Sequence, residues 1–134
     1  VVNKSVEAFR KLTLDMQRQI LTDAVAELNA QADQLVTTMK SVVKHGPTGD
    51  LGNSIRKQPG SKVTIVRVMA GGATTTHPGR HGKPAFDYAR AVEFGTVHNP
   101  AEPFFFPTFR LMRKPMRSAM RRKITARVKQ YSAE

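Results

Sequence analysis

Four histidines, His45, His77, His81 and His98, and four carboxylates next to loops, Asp50, Asp87, Glu93 and Glu102, are the side chains of this chain best suited to catalysis or metal binding. His77 and His81 stand four apart, the spacing that places two imidazoles on one helix face as metal ligands. Pro78 and Gly79 lie between them, so no helix can keep that register. No third ligand is evident, and Asp87 and Glu93 are candidates by position alone. Nothing in the sequence brings two of the carboxylates together for general acid–base work. Glu93 stands out because Val92 and Phe94 flank it. A carboxylate in apolar surroundings can act as a general base. More commonly it pairs with an arginine, here Arg90, or caps a backbone group.

The remaining chemistry is thinner. Ser54 and Ser61 lack the elbow that exposes a nucleophile. Gly46-x-x-Gly49 lacks the Gly-Lys-Ser/Thr ending of a phosphate loop, and Gly71-Gly72 opens no helix. Cysteine is absent, which excludes disulfides, thiol nucleophiles and cysteine zinc sites. The expectation is a non-enzymatic protein with no catalytic residue, no metal and no cofactor. A hydrolase or nuclease built on Glu93 with His77, His81 or His98 stands third among the function classes.

Charge carries more information. The 134 residues include 22 Lys and Arg against 10 Asp and Glu, a formal net charge of +12. Residues 1–45 hold six basic and five acidic groups, and residues 46–102 hold seven and four. Residues 103–134 hold nine and one, so the last quarter of the chain carries most of the excess. Such a surface implies a polyanionic neighbour or an acidic partner, and charge alone does not choose between them. A solvated helix face is the bland alternative. No run approaches the ~18 apolar residues of a membrane span. Val1 to Ser5 lack the apolar core of a secretory signal, so none is expected.

The elements that must position these groups follow from periodicity. The length predicts one domain over residues 1–134, and the 40% hydrophobic content predicts that it folds. Residues 3–12 read as a short helix within an N-terminal arm, 1–13. Thr13 or Asp15 would cap the next element. From about Leu14 to Lys44, Leu21, Ala24, Leu28, Leu35, Met39 and Val42 fall on one helical face. That helix would run about 45 Å and stop at His45-Gly46-Pro47. Residues 47–60 read as a turn-rich link, with a strand at 54–57 and a Gln58-Pro59-Gly60 turn. The β-branched alternation of 62–70 predicts a strand. Residues 71–85 lack periodicity and read as an extended loop. Residues 86–96 read as a short helix closed by Gly95, with a strand as the alternative.

A last helix starts near Pro107, where proline suits the first turn. Phe105, Phe109, Met112, Met116, Met120 and Ile124 form its apolar stripe. Arg110, Lys114, Arg117, Arg121 and Lys129 lie opposite. Pro115 should kink it near Leu111, and residues 125–134 form a basic tail. The fold class is α+β, with a long N-terminal helix and a C-terminal helix packed on a small, mostly antiparallel sheet with a long loop. Phe104, Phe105 and Phe106 could stack on bases. Three adjacent aromatics before a helix are more commonly core or interface anchors, and Phe105 is the anchor expected here.

Three segments, in order, resemble one family. Gly46-Pro47-Thr48-Gly49-Asp50-Leu51-Gly52-Asn53-Ser54-Ile55 follows a long helix, like the family's Pro, Thr-Gly-x-Leu, Ser-Ile pattern. Tyr88-Ala89-Arg90-Ala91-Val92-Glu93-Phe94-Gly95-Thr96 is similar to its Tyr-Ala-x-x-Val-Glu-Phe-Gly-Thr signature. Ala101-Glu102-Pro103-Phe104-Phe105-Phe106-Pro107 resembles its Pro-Phe entry into a proline-started last helix. The family is the tail-completion, or head–tail joining, group of long-tailed bacteriophages, of the lambda tail protein Z type. The likeness spans about residues 14–125. The 71–85 loop and the basic tail depart from it.

The resemblance implies a structural virion protein at the neck, where head meets tail, present in the host cytoplasm during assembly. Its neighbours there would be the connector or stopper, the tail terminator, the tube protein and the tape measure. A closed homo-oligomeric ring, six copies to suit the tail's symmetry, would surround the channel that passes genomic DNA. The subunit or partner interface would involve Arg90, Glu93, Phe94, Gly95, Thr96, Pro103, Phe104, Phe105, Phe106 and Pro107, with an Arg90–Glu93 bridge within or between subunits. Arg80, Lys83, Arg110, Lys114, Arg117 and Arg121 would meet DNA in the channel or an acidic partner. The rival reading is a sequence-nonspecific nucleic-acid-binding domain, whose cations would neutralise phosphates with a steep salt dependence. No sequence-reading motif such as a helix-turn-helix is present.

Overall fold

Asn3 opens the first helix by accepting the Ser5 amide on its side-chain oxygen at 3.0 Å. The computed structural model describes residues 3–44 and 48–133. Helix α1 then runs unbroken over Lys4–Val42, 39 residues or about 58 Å. The break expected at Thr13 or Asp15 is absent. Neither glycine nor proline occurs in residues 4–42, and the Thr13 hydroxyl donates to the Phe9 carbonyl at 2.9 Å inside the helix. Thr22, Thr37 and Thr38 bond back in the same way, which lets threonine sit within a helix without capping it. The helix ends two residues before Lys44, with the Val43 amide on the Met39 carbonyl. The expected stop at His45-Gly46-Pro47 lies outside the described residues.

The expected link is partly helical. Gly49, with φ +68°, leads into α2, a single turn over Asp50–Ser54. Strand β1, Arg56–Pro59, pairs antiparallel with β2, Val66–Met69, in the register Arg56↔Met69 to Pro59↔Val66. The first strand is shifted by two residues from the expected 54–57, and the second is shorter than the expected 62–70. Ser54 belongs to α2 because its hydroxyl caps the Leu51 carbonyl at 2.6 Å. Pro59 ends a strand rather than making the turn, since the Gly60 amide still reaches the Ile65 carbonyl at 2.8 Å. The turn therefore falls on residues 61–64, and Val63 is exposed.

The expected loop at 71–85 has structure of its own. A 3-10 turn, Ala73–Thr75, precedes β3, Thr76–His77, which pairs antiparallel with β4, Phe86–Asp87. Residues 78–85 form the tip of that arm. Helix α3, Tyr88–Phe94, follows directly and closes on Gly95. Helix α4 covers Phe106–Ser132, 27 residues, with Pro107 in its first turn. It stays helical across Pro115. The residue whose carbonyl loses its partner there, Leu111, is exposed, so water can serve it. The fold is α+β, and the described residues form two separate two-stranded antiparallel sheets.

Helices α1 and α4 lie antiparallel. Arg127 grips Asp23 with two bonds, Nε to Oδ2 at 2.5 Å and Nη2 to Oδ1 at 3.1 Å. That fork, with Lys123 nearby, holds the Asp23 carboxyl below its usual range. Met112, Met116, Ala119, Met120 and Ile124 are half-buried along the seam, which continues through Arg127 and Tyr131. Helix α4 ends five residues past Arg127, so roughly the first fourteen residues of α1 extend beyond it. Val6, Phe9, Leu12 and Leu14 are exposed on that stretch. The core lies at the other end, where Leu35, Met39, Val43, Leu51, Ile55, Ala89 and Phe104 pack together.

Candidate functional site

Helix α4 begins without a capping side chain. Its N-cap is Phe105, and the preceding residues are Pro103 and Phe104. The first amides of any helix lack internal partners and must find acceptors elsewhere. Glu93, near the end of α3, supplies them. Its Oε2 accepts the Phe104 amide at 2.8 Å and the Phe105 amide at 3.0 Å, and its Oε1 accepts the Phe106 amide at 2.9 Å. Glu93 is only 7% exposed. A negative carboxylate there also complements the positive end of the helix dipole.

The chain between the two partners is tightly folded. Gly95 has φ +76°, and a Cβ there would stand 2.7 Å from the Ala101 nitrogen. Only glycine meets both requirements. The Thr96 hydroxyl accepts the His98 and Asn99 amides at 3.3 and 3.1 Å, and the Thr96 amide returns to the Asn99 carbonyl at 2.8 Å. The Glu102 amide donates to the Val92 carbonyl at 2.8 Å. Phe104, 2% exposed, fills the core below, and the Thr108 hydroxyl donates back to its carbonyl at 2.7 Å. Residues 88–108 thus form one clasp.

Within the chain the Arg90–Glu93 bridge does not form. Both Glu93 oxygens are committed to backbone amides, Arg90 is exposed, and among the described residues it makes no ion pair. Capping, the alternative role for this carboxylate, is the one present. The sequence signal was the missing one: a helix entered through Phe-Phe-Phe offers no polar side chain to its own amides.

A second carboxylate node supports the clasp from beneath. Asp87 Oδ1 accepts the Ala89 amide at 2.9 Å, capping α3, and the Thr75 hydroxyl at 2.6 Å. Its Oδ2 accepts the Gly72 amide at 2.9 Å. Burial alone would raise the Asp87 carboxyl, but the bonds from Thr75, Ala89 and Gly72 outweigh it and hold the group below the usual range. Gly71 passes so close that a Cβ would lie 2.4 Å from Asp87 Oδ2. The Gly71 amide donates to the Ser54 hydroxyl at 2.9 Å, and Arg56 Nη1 donates to the Gly71 and Ser54 carbonyls at 2.6 and 2.8 Å. Ser54, Arg56, Thr75 and Asp87 were not marked as partners by spacing, because 33 positions separate the first from the last.

The other marked residues divide by exposure. Glu93 and Phe104 are buried within the chain, and Phe105 and Pro107 are half-buried. Phe94 is 64% exposed and Phe106 43%, with ring centroids 6.0 Å apart. Phe105 stands edge-on to Phe106 at 5.1 Å. Thr96 and Pro103 are exposed. Arg80 and Lys83 sit at the tip of the β3–β4 arm, and Arg110, Lys114, Arg117 and Arg121 are exposed on α4.

His45 lies outside the described residues. His77 stacks on Tyr88 at 5.2 Å, and His81 takes φ +54° in the arm's tip. Among the described residues no three histidine or carboxylate groups gather as a metal site. No helix among them is long and apolar enough to cross a membrane. Comparisons with family models, curated proteins and solved structures return no match for this chain.

Proposed function

We propose that this chain is a structural joining protein of a tailed phage, one subunit of a ring at the neck around the DNA channel. The observation that supports this best is the clasp. Two of the three segments that carry the family resemblance, Tyr88–Thr96 and Ala101–Pro107, are bound to each other through Glu93 and the amides of Phe104 to Phe106. They form one rigid block that displays Phe94 and Phe106 side by side. Exposed aromatic pairs on a stiff support suit a subunit interface. Such a contact is heterologous when it meets a different surface of the next copy, and heterologous contacts close into rings when the rotation between copies allows. In this reading the buried members of the clasp aim the interface, and Phe94, Phe106 and Arg90 touch the neighbour. The connector or stopper, terminator, tube and tape measure are the proposed axial partners, and the virion is the proposed location.

One observation favours a second reading, sequence-nonspecific nucleic-acid binding. Arg110, Lys114, Arg117 and Arg121 are exposed, and no carboxylate occurs on α4 to neutralise them. Light scattering at low and high salt separates the two. A ring-sized species that survives high salt supports the joining ring. A monomer whose DNA binding disappears with salt supports the second reading.

A further inference from the structure

A groove of about 450 Å³ runs between α1 and α4. Phe106, Phe109, Met116 and Met120 line it. Phe106 and Phe109 remain 43% and 41% exposed, more open than core aromatics. Arg113 and Arg117 line the same groove, and among the described residues neither meets a carboxylate. The lining combines three properties. Its walls are apolar and aromatic. Its methionines are unbranched and adapt their shape to what lies on them. Its border is guanidinium, which binds carboxylate through two parallel bonds.

We propose that this groove is the docking site for an acidic amphipathic helix of a partner protein. The partner's apolar ridge lies on Phe109, Met116 and Met120, and its flanking carboxylates meet Arg113 and Arg117. The stretch from Phe109 to Met120 rises about 16 Å, the length of three helical turns, so anchors at i, i+3 or i+4 and i+7 fit along it. Charge selects this occupant over a second copy of the chain. The exposed apolar stretch of α1 carries Lys4, Arg10, Lys11 and Arg18 against Glu7 and Asp15, and would bring like charge to a basic border. Chemistry selects it over duplex DNA. Phosphates would satisfy the arginines but leave the aromatic walls uncovered. The inference holds whether or not the chain closes into a ring.

The test is fluorescence anisotropy with the full chain and three labelled probes. The first is a helical peptide of about five turns with Leu at spacings of three and four and Glu beside them. The second replaces each Glu with Lys. The third is a short DNA duplex. The proposal expects saturable binding of the Glu peptide and none of the Lys peptide. It expects that binding to weaken about tenfold or more in Phe109→Ser and, separately, in Arg113→Glu with Arg117→Glu. These positions are exposed, and an unchanged circular dichroism spectrum confirms that each variant folds. Absence of saturable binding overturns the proposal. So does binding that ignores Phe109→Ser, or DNA that displaces the Glu peptide and is itself lost in the arginine variant.

Discussion

The Glu93 carboxylate holds the amide of Phe104 at 2.8 Å, and its two oxygens take the next two amides as well. One buried side chain on α3 thereby sets where α4 begins and in which direction it leaves. The chain from Phe94 to Pro103 is closed between these two points by Gly95 and Thr96. A carboxylate that looked like a candidate base is a helix cap.

Glu93→Ala should cost about 2–4 kcal/mol, because it leaves three amides without their acceptor. Glu93→Gln keeps one acceptor oxygen and should recover part of that loss. Urea unfolding measures both. An alanine variant within about 0.5 kcal/mol of wild type would mean that the clasp does not hold α4.

Phe104→Ala should cost about 3–5 kcal/mol, since a fully buried aromatic leaves a cavity that the surrounding core cannot refill. Phe105→Ala should cost less, because Phe105 is only half-buried. The opposite order in thermal unfolding would show that Phe105 is the anchor, as the sequence alone suggests.

Stability should fall on acidification through Asp87. Its folded carboxyl titrates below the ordinary value, so near pH 4 the unfolded chain binds more protons than the folded one. The contribution is complete above the unfolded value and is lost as pH falls through the folded one. Asp87→Asn should flatten the acid limb of a stability–pH curve while leaving the contribution of Asp23 in place. An unchanged acid limb in Asp87→Asn would contradict this.

Gly71→Ala should be costlier than Gly82→Ala. Both residues have positive φ, +89° and +74°. At Gly71 a Cβ also meets Asp87 Oδ2 at 2.4 Å, whereas nothing lies within 4 Å of a Cβ at Gly82. Backbone strain alone costs about 1 kcal/mol, and the added clash should raise the Gly71 loss above that. Equal losses in denaturant unfolding would show that the Asp87 node yields freely.

Local rules explain what the sequence could reveal. The long N-terminal helix was legible because residues 4–42 contain no glycine or proline and repeat apolar residues on one face. The short helix before Gly95 and the proline-started α4 were legible for similar reasons. The false break at Thr13 came from reading a hydroxyl as a cap when it was bonding backwards. Strand bounds slipped because Ser54 and Pro59 each have two local uses, and a tertiary partner decides which applies. The partners of Glu93 and Asp87 could not be read, since both bind backbone amides and backbone carries no residue signature. Among the marked positions, the buried pair Glu93 and Phe104 and the exposed pair Phe94 and Phe106 look alike in sequence and separate only on folding.

An apolar subunit interface displayed by the clasp should hold copies of the chain together in solution. Light scattering should compare wild type with the double variant Phe94→Asp, Phe106→Asp, each at low and high salt. A wild-type species several times the 14.9 kDa subunit mass should persist in high salt, and the variant should be a folded monomer. A wild-type monomer at both salts, or an assembly that the double variant leaves intact, would contradict it.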